Sequence, residues 1–464
     1  MLTTTLYVGF LTTPVMVLAS LTVSDPSDVI TPDAWAADNA IVPDYNVPFI
    51  SQQPSDLVAP FYYSNGTTTL DHTSFYVDEN DTSVIVVADS SSLNLSYVDV
   101  LKYGYASNLL EASFYGFNAA INVANASGAH LDHVNITVHN GAANVYAYGT
   151  DTVVYVDNSW LYSSGPVSHG LYASGNGTII GKNLQHFSGG IRSSSFSGDS
   201  PKGTVRVYDS IAHSAGVGSA TYYALGEIYA ENVLSRSDNG PVIFMDGNQN
   251  ATLVNCDATA GLLGGVAIFS SMVRTSGASL KLQDSKITTL GSTMPGLWFG
   301  NTIINVVIES SELNTASGIL LVANYSQITQ DFDYYASYTD NNNLLPAEVF
   351  ATVKESDLEG DLVAYNSSYI SWTLTEYSSW TGAAYSGYGE AFFDIALDKT
   401  SNWTLTQTTI VQNLTDADSS LSNIKGNGNT LYYNASATSN GWLGAKTIAL
   451  SGGGFAKPIG SSCS

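Results

Sequence analysis

The stretch VVYVDNSWLYSSGPVSHGLYAS, residues 153–174, contains both elements that recur along this chain. The first is an apolar strand that ends in an Asn or Asp step and a small residue, here Asn158 and Ser159. The Asn or Asp position recurs at steps of 23–29 residues, with a last step of 45, at His133, Asn158, Asn183, Asp209, Asn232, Asn255, Asp284, Ser310 and Glu355. Such a period is typical of a solenoid whose coils stack on one another. We expect the polar side chains of this column to hydrogen-bond to backbone at the coil corners.

A second apolar strand follows in each repeat, beginning after Gly170 in the quoted stretch. The residue at the centre of this strand and the residue two positions later form two columns, and strand alternation points both columns inward. The first column is Val145, Leu171, Ile191, Tyr222, Val242, Val266, Leu297 and Ile319, and the second is Ala147, Ala173, Ser193, Ala224, Phe244, Ile268, Phe299 and Leu321. Two strands per coil, with no amphipathic helix, predict an all-β parallel β-helix of about 22–29-residue coils with N- and C-terminal caps. We expect a signal peptide at 1–19, a lead-in and cap at 20–83, the β-helix at 84–410 with an insertion at 324–347, and a C-terminal coil and cap at 411–464.

Two phrases carry a family resemblance, GFNAAINVANASGAHLDHVNITV at 116–138 and SNWTLTQTTIVQNLTDADSSLSNIKGNGNTLYY at 401–433. With the coil length and the Asn/Asp column, they resemble the right-handed parallel β-helix of the pectin-lyase-like superfamily, nearest to its secreted or adhesin-like members of unsettled function. The motifs of polygalacturonase-like, pectate-lyase-like and pectin-esterase-like enzymes are absent. The resemblance therefore implies the fold and carries over no catalytic residue.

The charge balance limits the partners. The 464 residues include 14 Lys and Arg against 40 Asp and Glu, a net charge of −26, while 44% of the residues are hydrophobic. The hydrophobic fraction excludes a disordered acidic tail, and the acidic balance excludes nucleic acid and anionic membrane surfaces as partners. Four cations fall within 25 residues, the one stretch that could meet an anionic group: Lys182, Arg192, Lys202 and Arg206.

The apolar run from Tyr7 to Ala19 predicts a secretory signal, with a buried strand as the alternative. No other apolar stretch approaches the ~20 residues of a membrane span. Twelve N-x-[ST] sequons predict an extracellular glycoprotein, at Asn65, Asn80, Asn94, Asn125, Asn135, Asn176, Asn250, Asn324, Asn366, Asn402, Asn413 and Asn434. The two cysteines, Cys256 and Cys463, permit one disulfide, and a free buried Cys256 is the alternative.

An outward column is expected between the two inward ones, formed by Tyr146, Tyr172, Arg192, Tyr223, Ile243, Ala267, Trp298 and Leu320. Aromatic faces stack on sugar rings, and coils ~4.8 Å apart would place Tyr146 and Tyr223 roughly 14 Å from each other, the length of a short oligosaccharide. This predicts a substrate-binding set of Tyr146, Tyr172, Arg192, Tyr223 and Trp298. The alternative is an aromatic ladder whose rings stack on each other and stabilise the solenoid.

Polar residues of the same coils are candidate catalytic groups, namely His169, Tyr172, Lys182, Arg192, Asp199 and Asp246. A lyase needs a base to remove a proton α to a uronate carboxylate and a cation for the enolate. Tyr172, His169 or Lys182 could be that base, and Arg192 the cation. A hydrolase needs two carboxylates about 5 to 9.5 Å apart, for which Asp199, Asp209 and Asp246 are candidates. For each residue the alternative is an ordinary surface or turn position.

These features together predict a secreted, monomeric protein that acts at extracellular or cell-wall polysaccharide as a binding or adhesin-like protein. A polysaccharide lyase or glycoside hydrolase of non-standard type, using residues 169–246, is the alternative. No cofactor is expected, and the histidines lack metal-ligand spacing. Several acidic loops could attract calcium, but none has an EF-hand or nonapeptide motif.

Overall fold

The computed structural model describes residues 56–139, 143–199, 201–261, 264–271, 273–324 and 344–459. Over these ranges the chain is an all-β parallel solenoid of about 15 turns, with roughly 25 residues per coil. No helix in the described ranges is long and apolar enough to cross a membrane. The predicted signal at 1–19, Cys463 and most of the 324–347 insertion lie outside the described residues.

Sheet I contains thirteen parallel strands from successive coils, and most of its residues are buried on both faces. Its strands are Phe61–Ser64, Ile85–Ala88, Ile121–Ala124, Val145–Tyr148, Leu171–Ser174, Phe196–Gly198, Tyr222–Ala224, Ile243–Asp246, Val266–Phe269, Leu297–Gly300, Ile319–Asn324, Asp361–Tyr365 and Ala384–Tyr388.

Sheet II has 22 parallel strands in two rows, which meet at a sharp corner. First-row strands precede that corner: Thr67–Asp71, Val153–Asp157, Thr178–Lys182, Thr204–Tyr208, Glu227–Glu231, Asn250–Val254, Thr275–Gln283, Thr302–Glu309, Glu348–Lys354, Ser368–Thr375, Ala391–Leu397 and Asn413–Asp416. Second-row strands follow it: Ser74–Val77, Trp160–Ser163, Gln185–Ser188, Ile211–Ser214, Leu234–Ser237, Asp257–Ala260, Lys286–Thr289 and Glu312–Thr315. Two long strands, Ser92–Lys102 and Gly128–Val138, run through the corner and belong to both rows.

Two four-stranded sheets complete the C-terminal coils. One continues the second row with Asp357–Glu359, Ser379–Gly382, Asn402–Leu405 and Ile424–Lys425, and the other contains Thr409–Val411, Thr430–Tyr433, Ile448–Ala449 and Phe455–Pro458. The pair Ile448–Ala449 and Phe455–Pro458 is antiparallel and ends the stack. Helix α1 is Leu109–Tyr115, and Thr438–Leu443 is a 3-10 helix.

The corner between the two rows is the predicted Asn/Asp column. All nine predicted positions have left-handed backbone, with φ between 45° and 57°. Asn and Asp tolerate this region better than most residues with a Cβ. We call this position the left-handed corner.

Hydrogen bonds at the left-handed corner run between coils, which corrects the expected bonding of these side chains to backbone. The Asn183 amide donates to Asn158 Oδ1 at 2.8 Å, and the Asn255 amide donates to Asn232 Oδ1 at 2.7 Å. Backbone is bound instead by the small residue that follows: Ser210 Oγ accepts the N–H of Leu184, one coil earlier, at 3.0 Å. The small residue of the repeat is therefore a hydrogen-bond acceptor inside the stack.

Each central coil has three strands, and the sequence pattern found two. The second-row strands were missed because they follow the corner at once, for example Trp160–Ser163 after Asn158. The parallel strands also begin at Phe61, inside the segment expected to form the lead-in and cap.

The expected register of sheet I is wrong in three coils. Leu171 pairs with Phe196 rather than Ile191, and the column continues through Tyr222, Ile243, Val266, Leu297 and Leu321. The outward column is therefore Tyr146, Tyr172, Ser197, Tyr223, Phe244, Ala267, Trp298 and Val322. Arg192 lies in the preceding turn with φ 57°, Ile243 takes an inward position, and Leu320 lies at a register shift. Turns of unequal length between coils produce these offsets.

Candidate functional site

Helix α1 covers the first aromatic residues of the outward column. Tyr146 and Tyr172 are 0% and 1% exposed. The Tyr146 hydroxyl donates to the Ser113 carbonyl at 2.6 Å, within α1. The two rings lie 4.9 Å apart between centroids, so they pack on each other. A sugar ring has no access to this pair while α1 is in place, which favours the ladder interpretation here.

Three candidate catalytic residues come together beneath this cover. The Tyr172 hydroxyl donates to the Asp199 carboxylate, and the His169 ring lies 4.2 Å from the Tyr172 ring. His169 Nδ1 accepts hydrogen bonds from Ser194 N–H at 3.0 Å and Ser197 Oγ at 2.9 Å. All five side chains are buried. We call His169, Tyr172 and Asp199 the covered cluster.

The electrostatics of the covered cluster oppose acid–base work near neutral pH. Burial lowers the pKa of His169 from 6.5 to about 3, so its ring is neutral. Burial, and then the Asp199 charge, raise the pKa of Tyr172 well above its usual value, so its hydroxyl keeps its proton. A base working near pH 7 needs a pKa close to that pH.

The other candidate catalytic residues lie elsewhere. Lys182 is exposed on a first-row strand, 3.8 Å from the Asp209 carboxylate. Arg192 lies in the turn before the sheet I strand Phe196–Gly198, and its backbone N–H donates to the Val217 carbonyl. Asp246 ends a sheet I strand, accepts the N–H of Ser271 at 2.8 Å, and has a pKa raised by burial. Of the six candidate catalytic residues, the structure therefore brings together only the three of the covered cluster.

The remaining outward aromatics form an apolar cluster. Tyr223 stacks on Phe244 with centroids 5.7 Å apart, and Trp298 is 6% exposed beside Ala267 and Val322. Their sugar-binding role stays a prediction.

Metal and thiol chemistry finds little support in the described part of the chain. No three His, Cys, Asp or Glu residues there are grouped to hold a metal ion. Cys256 lies in the core, and burial raises the pKa of its thiol to about 11, which keeps it protonated. Whether it pairs with Cys463 falls outside the described residues.

Two rows of Tyr and His rings on sheet II were not predicted from the sequence. The first row follows the left-handed corner through the first three coils: His72, Tyr97 and His133 stack with centroids 5.0 and 4.6 Å apart. The second lies at the ends of the second-row strands, where Tyr76 and Tyr103 are 6.1 Å apart and Tyr103 stacks on His139 at 4.7 Å. Tyr76, Tyr97 and Tyr103 are 55%, 52% and 37% exposed.

A polar strip separates the two rows. It contains Ser74, Asp99 and Asn135, one residue from each coil in register. Tyr76 follows His72 by four residues, whereas Tyr103 and His139 follow Tyr97 and His133 by six. The rows are therefore about 13 Å apart in the first coil and about 20 Å apart in the next two. We call the two rows with their strip the N-terminal aromatic face.

Carboxylates surround this face. Asp71 and Asp132 lie 2.7 and 3.0 Å from the rings of His72 and His133, and Asp78 accepts from the Tyr76 hydroxyl at 3.1 Å. The signal that could have found the first row is the column itself. If the column is extended towards the N-terminus from His133, its next position is Tyr97, 36 residues earlier. This step is longer than the others because the coil between them includes α1.

No family model, no curated protein and no solved structure matches this chain. Its function is therefore inferred from the geometry of its own residues.

Proposed function

We propose that this protein is an extracellular β-solenoid that binds neutral polysaccharide without catalysis, through the N-terminal aromatic face. The observation that carries the proposal is the pair of ring rows, exposed at every position except His139, that flank a polar strip over consecutive coils. A site of this shape repeats every ~4.8 Å along the solenoid. It suits a ligand that is itself a linear repeat.

Hydrogen bonding would dominate the contact. Rings stacked on each other share their faces, so they offer a ligand their edges, the Tyr hydroxyls and the His ring nitrogens. Asp99 in the strip and Asp71 and Asp132 beside it supply acceptors for sugar hydroxyls. Each such bond contributes little net free energy, and several coils acting together would raise the affinity.

The same carboxylates favour neutral over acidic sugars. Asp71, Asp78, Asp99 and Asp132 all lie at this face, and the whole chain carries a net charge of −26. A uronate carboxylate would meet like charges there, which is unfavourable and falls off with salt.

Binding is favoured over the enzymatic alternative because the one group of candidate catalytic residues that assembles is buried under α1. Secretion, N-glycosylation, a place at the cell wall and an adhesin-like role belong to the same proposal. So does membership of the pectin-lyase-like superfamily, for which the parallel β-helix fold is the starting point.

The proposal is tested by retention on immobilised neutral polysaccharides, with glucan, mannan and chitin in parallel with a polyuronan. The double variant Tyr97→Ala/Tyr103→Ala should lose at least about tenfold in affinity, or about 1.4 kcal/mol. Tyr377→Ala is the matched control, because Tyr377 is also an exposed tyrosine with left-handed backbone, in a distant C-terminal coil. Equal retention of both variants, or preference for the polyuronan, would contradict the proposal.

A further inference from the structure

A second corner of the solenoid lies where each sheet I strand turns into a first-row strand, and we call it the sheet I corner. Sequons occur at this corner in alternate coils. Asn65, Asn125 and Asn176 occupy this corner in the first, third and fifth coils. The intervening coils have Asp89 and Asp151 there, and neither begins a sequon. Glycan acceptors in alternate coils would lie about 10 Å apart.

These three asparagines share one local geometry. Each is exposed and left-handed, with φ of 69°, 55° and 67°. The hydroxyl residue of each sequon, Thr67, Ser127 or Thr178, lies at or next to the start of the following strand. Within the described structure, the side chain of Asn176 makes only a long 3.5 Å contact with the Thr150 hydroxyl. The amides therefore point into open surroundings at a convex edge.

Three other sequons lie within the sheets. Asn135 lies in the polar strip, with its Oδ1 buried. The Asn413 amide donates to Asp394 Oδ1 at 2.7 Å, and Asn250 Oδ1 accepts from the Ser279 hydroxyl at 2.7 Å. A glycan at Asn413 or Asn250 would crowd these contacts with the neighbouring coil.

We propose that Asn65, Asn125 and Asn176 carry N-glycans that form one row along the sheet I corner, an inference that rests on the secretion included in the proposed function. The row is separated from the left-handed corner by a five-residue first-row strand, roughly 17 Å. The glycans thus cover one edge of sheet I and leave the N-terminal aromatic face free. A glycan on Asn135 would instead occupy the strip between the ring rows.

The test is site-by-site occupancy of the full chain, fused to a host secretion signal and produced by a eukaryotic host. Enzymatic deglycosylation in heavy-oxygen water followed by peptide mass spectrometry marks each occupied asparagine. We expect Asn65, Asn125 and Asn176 to be mostly occupied, and Asn135 and Asn413 to be essentially empty. Empty corner sites, or an occupied Asn135, would overturn the row.

A second measurement separates this inference from the proposed function. The triple variant Asn65→Gln/Asn125→Gln/Asn176→Gln should lose the glycan mass of three sites and retain neutral polysaccharide as the wild type does. Lost retention by a folded triple variant would contradict the placement of the row away from the binding face. Occupied corner sites in a protein that binds no polysaccharide would leave the row standing and refute the proposed function.

Discussion

Asn232 offers the sharpest perturbation of the left-handed corner. Its amide donates to Asp209 Oδ1 at 2.8 Å, and its Oδ1 accepts from the Asn255 amide at 2.7 Å. Asn232→Ala removes both bonds, at about 1 kcal/mol each, and places a Cβ without a polar group at φ 57°, for about 1 kcal/mol more. We expect a loss of about 3 kcal/mol in the free energy of unfolding.

Asn232→Gly separates the two causes, because glycine adopts the left-handed region without strain. It loses the same hydrogen bonds but not the backbone strain, so we expect its free energy of unfolding to be about 1 kcal/mol higher than that of Asn232→Ala. Urea unfolding followed by tryptophan fluorescence measures both variants. Asn305→Ala, at an exposed strand position, is the matched control and should change stability by less than about 0.5 kcal/mol. Equal stabilities of the Ala and Gly variants would refute the role assigned to the left-handed backbone.

Three further predictions concern the interior. Burial lowers the pKa of His186 from 6.5 to about 3, so the unfolded chain binds the proton first, and the free energy of unfolding falls by up to about 5 kcal/mol as the pH drops from about 7 towards 3. Neither ring nitrogen has a hydrogen-bond partner among the described residues, so His186→Leu should raise stability at pH 7 and weaken the acid dependence, measured by thermal unfolding at a series of pH values. Lys102 Nζ is buried and donates to the carbonyls of Glu79 at 3.0 Å and Gly104 at 2.9 Å, so Lys102→Met should cost about 3 kcal/mol and speed amide hydrogen exchange at residues 103–105. Unchanged exchange there would show that this turn is held otherwise. Trp403 is fully buried, stacked 4.8 Å from the Trp380 ring, so Trp403→Ala should cost about 3–5 kcal/mol in chemical unfolding, and a loss no larger than that of a surface change would contradict the packing.

The left-handed corner could be predicted because its backbone restricts the residue type. A position near φ 50° favours Asn and Asp, and a hydrogen-bonding Ser after it repeats with the coil, as Asn158 and Ser159 show. The direction of the hydrogen bonds could not be read from one coil, since each bond joins two coils about 25 residues apart.

The register of sheet I escaped prediction because both faces of its strands are apolar. Tyr146 and Phe244 point outward yet are as buried as inward residues, so alternation gives no signal. Strands of three or four residues with turns of unequal length then allow a slip of one or more positions, as at Ile243. The cover by α1 is a tertiary contact, between Ser113 and Tyr146, that no local pattern encodes.

The N-terminal aromatic face is most directly tested by hydroxyl-radical footprinting of the unmodified protein with and without a neutral polysaccharide that retains it. Oxidation of exposed tyrosines, read by peptide mass spectrometry, reports solvent access without any substitution. We expect the polysaccharide to protect Tyr76, Tyr97 and Tyr103 and to leave Tyr377 unchanged. Protection of Tyr377 or of the sheet I outer face, with Tyr97 and Tyr103 still oxidised, would contradict the central claim.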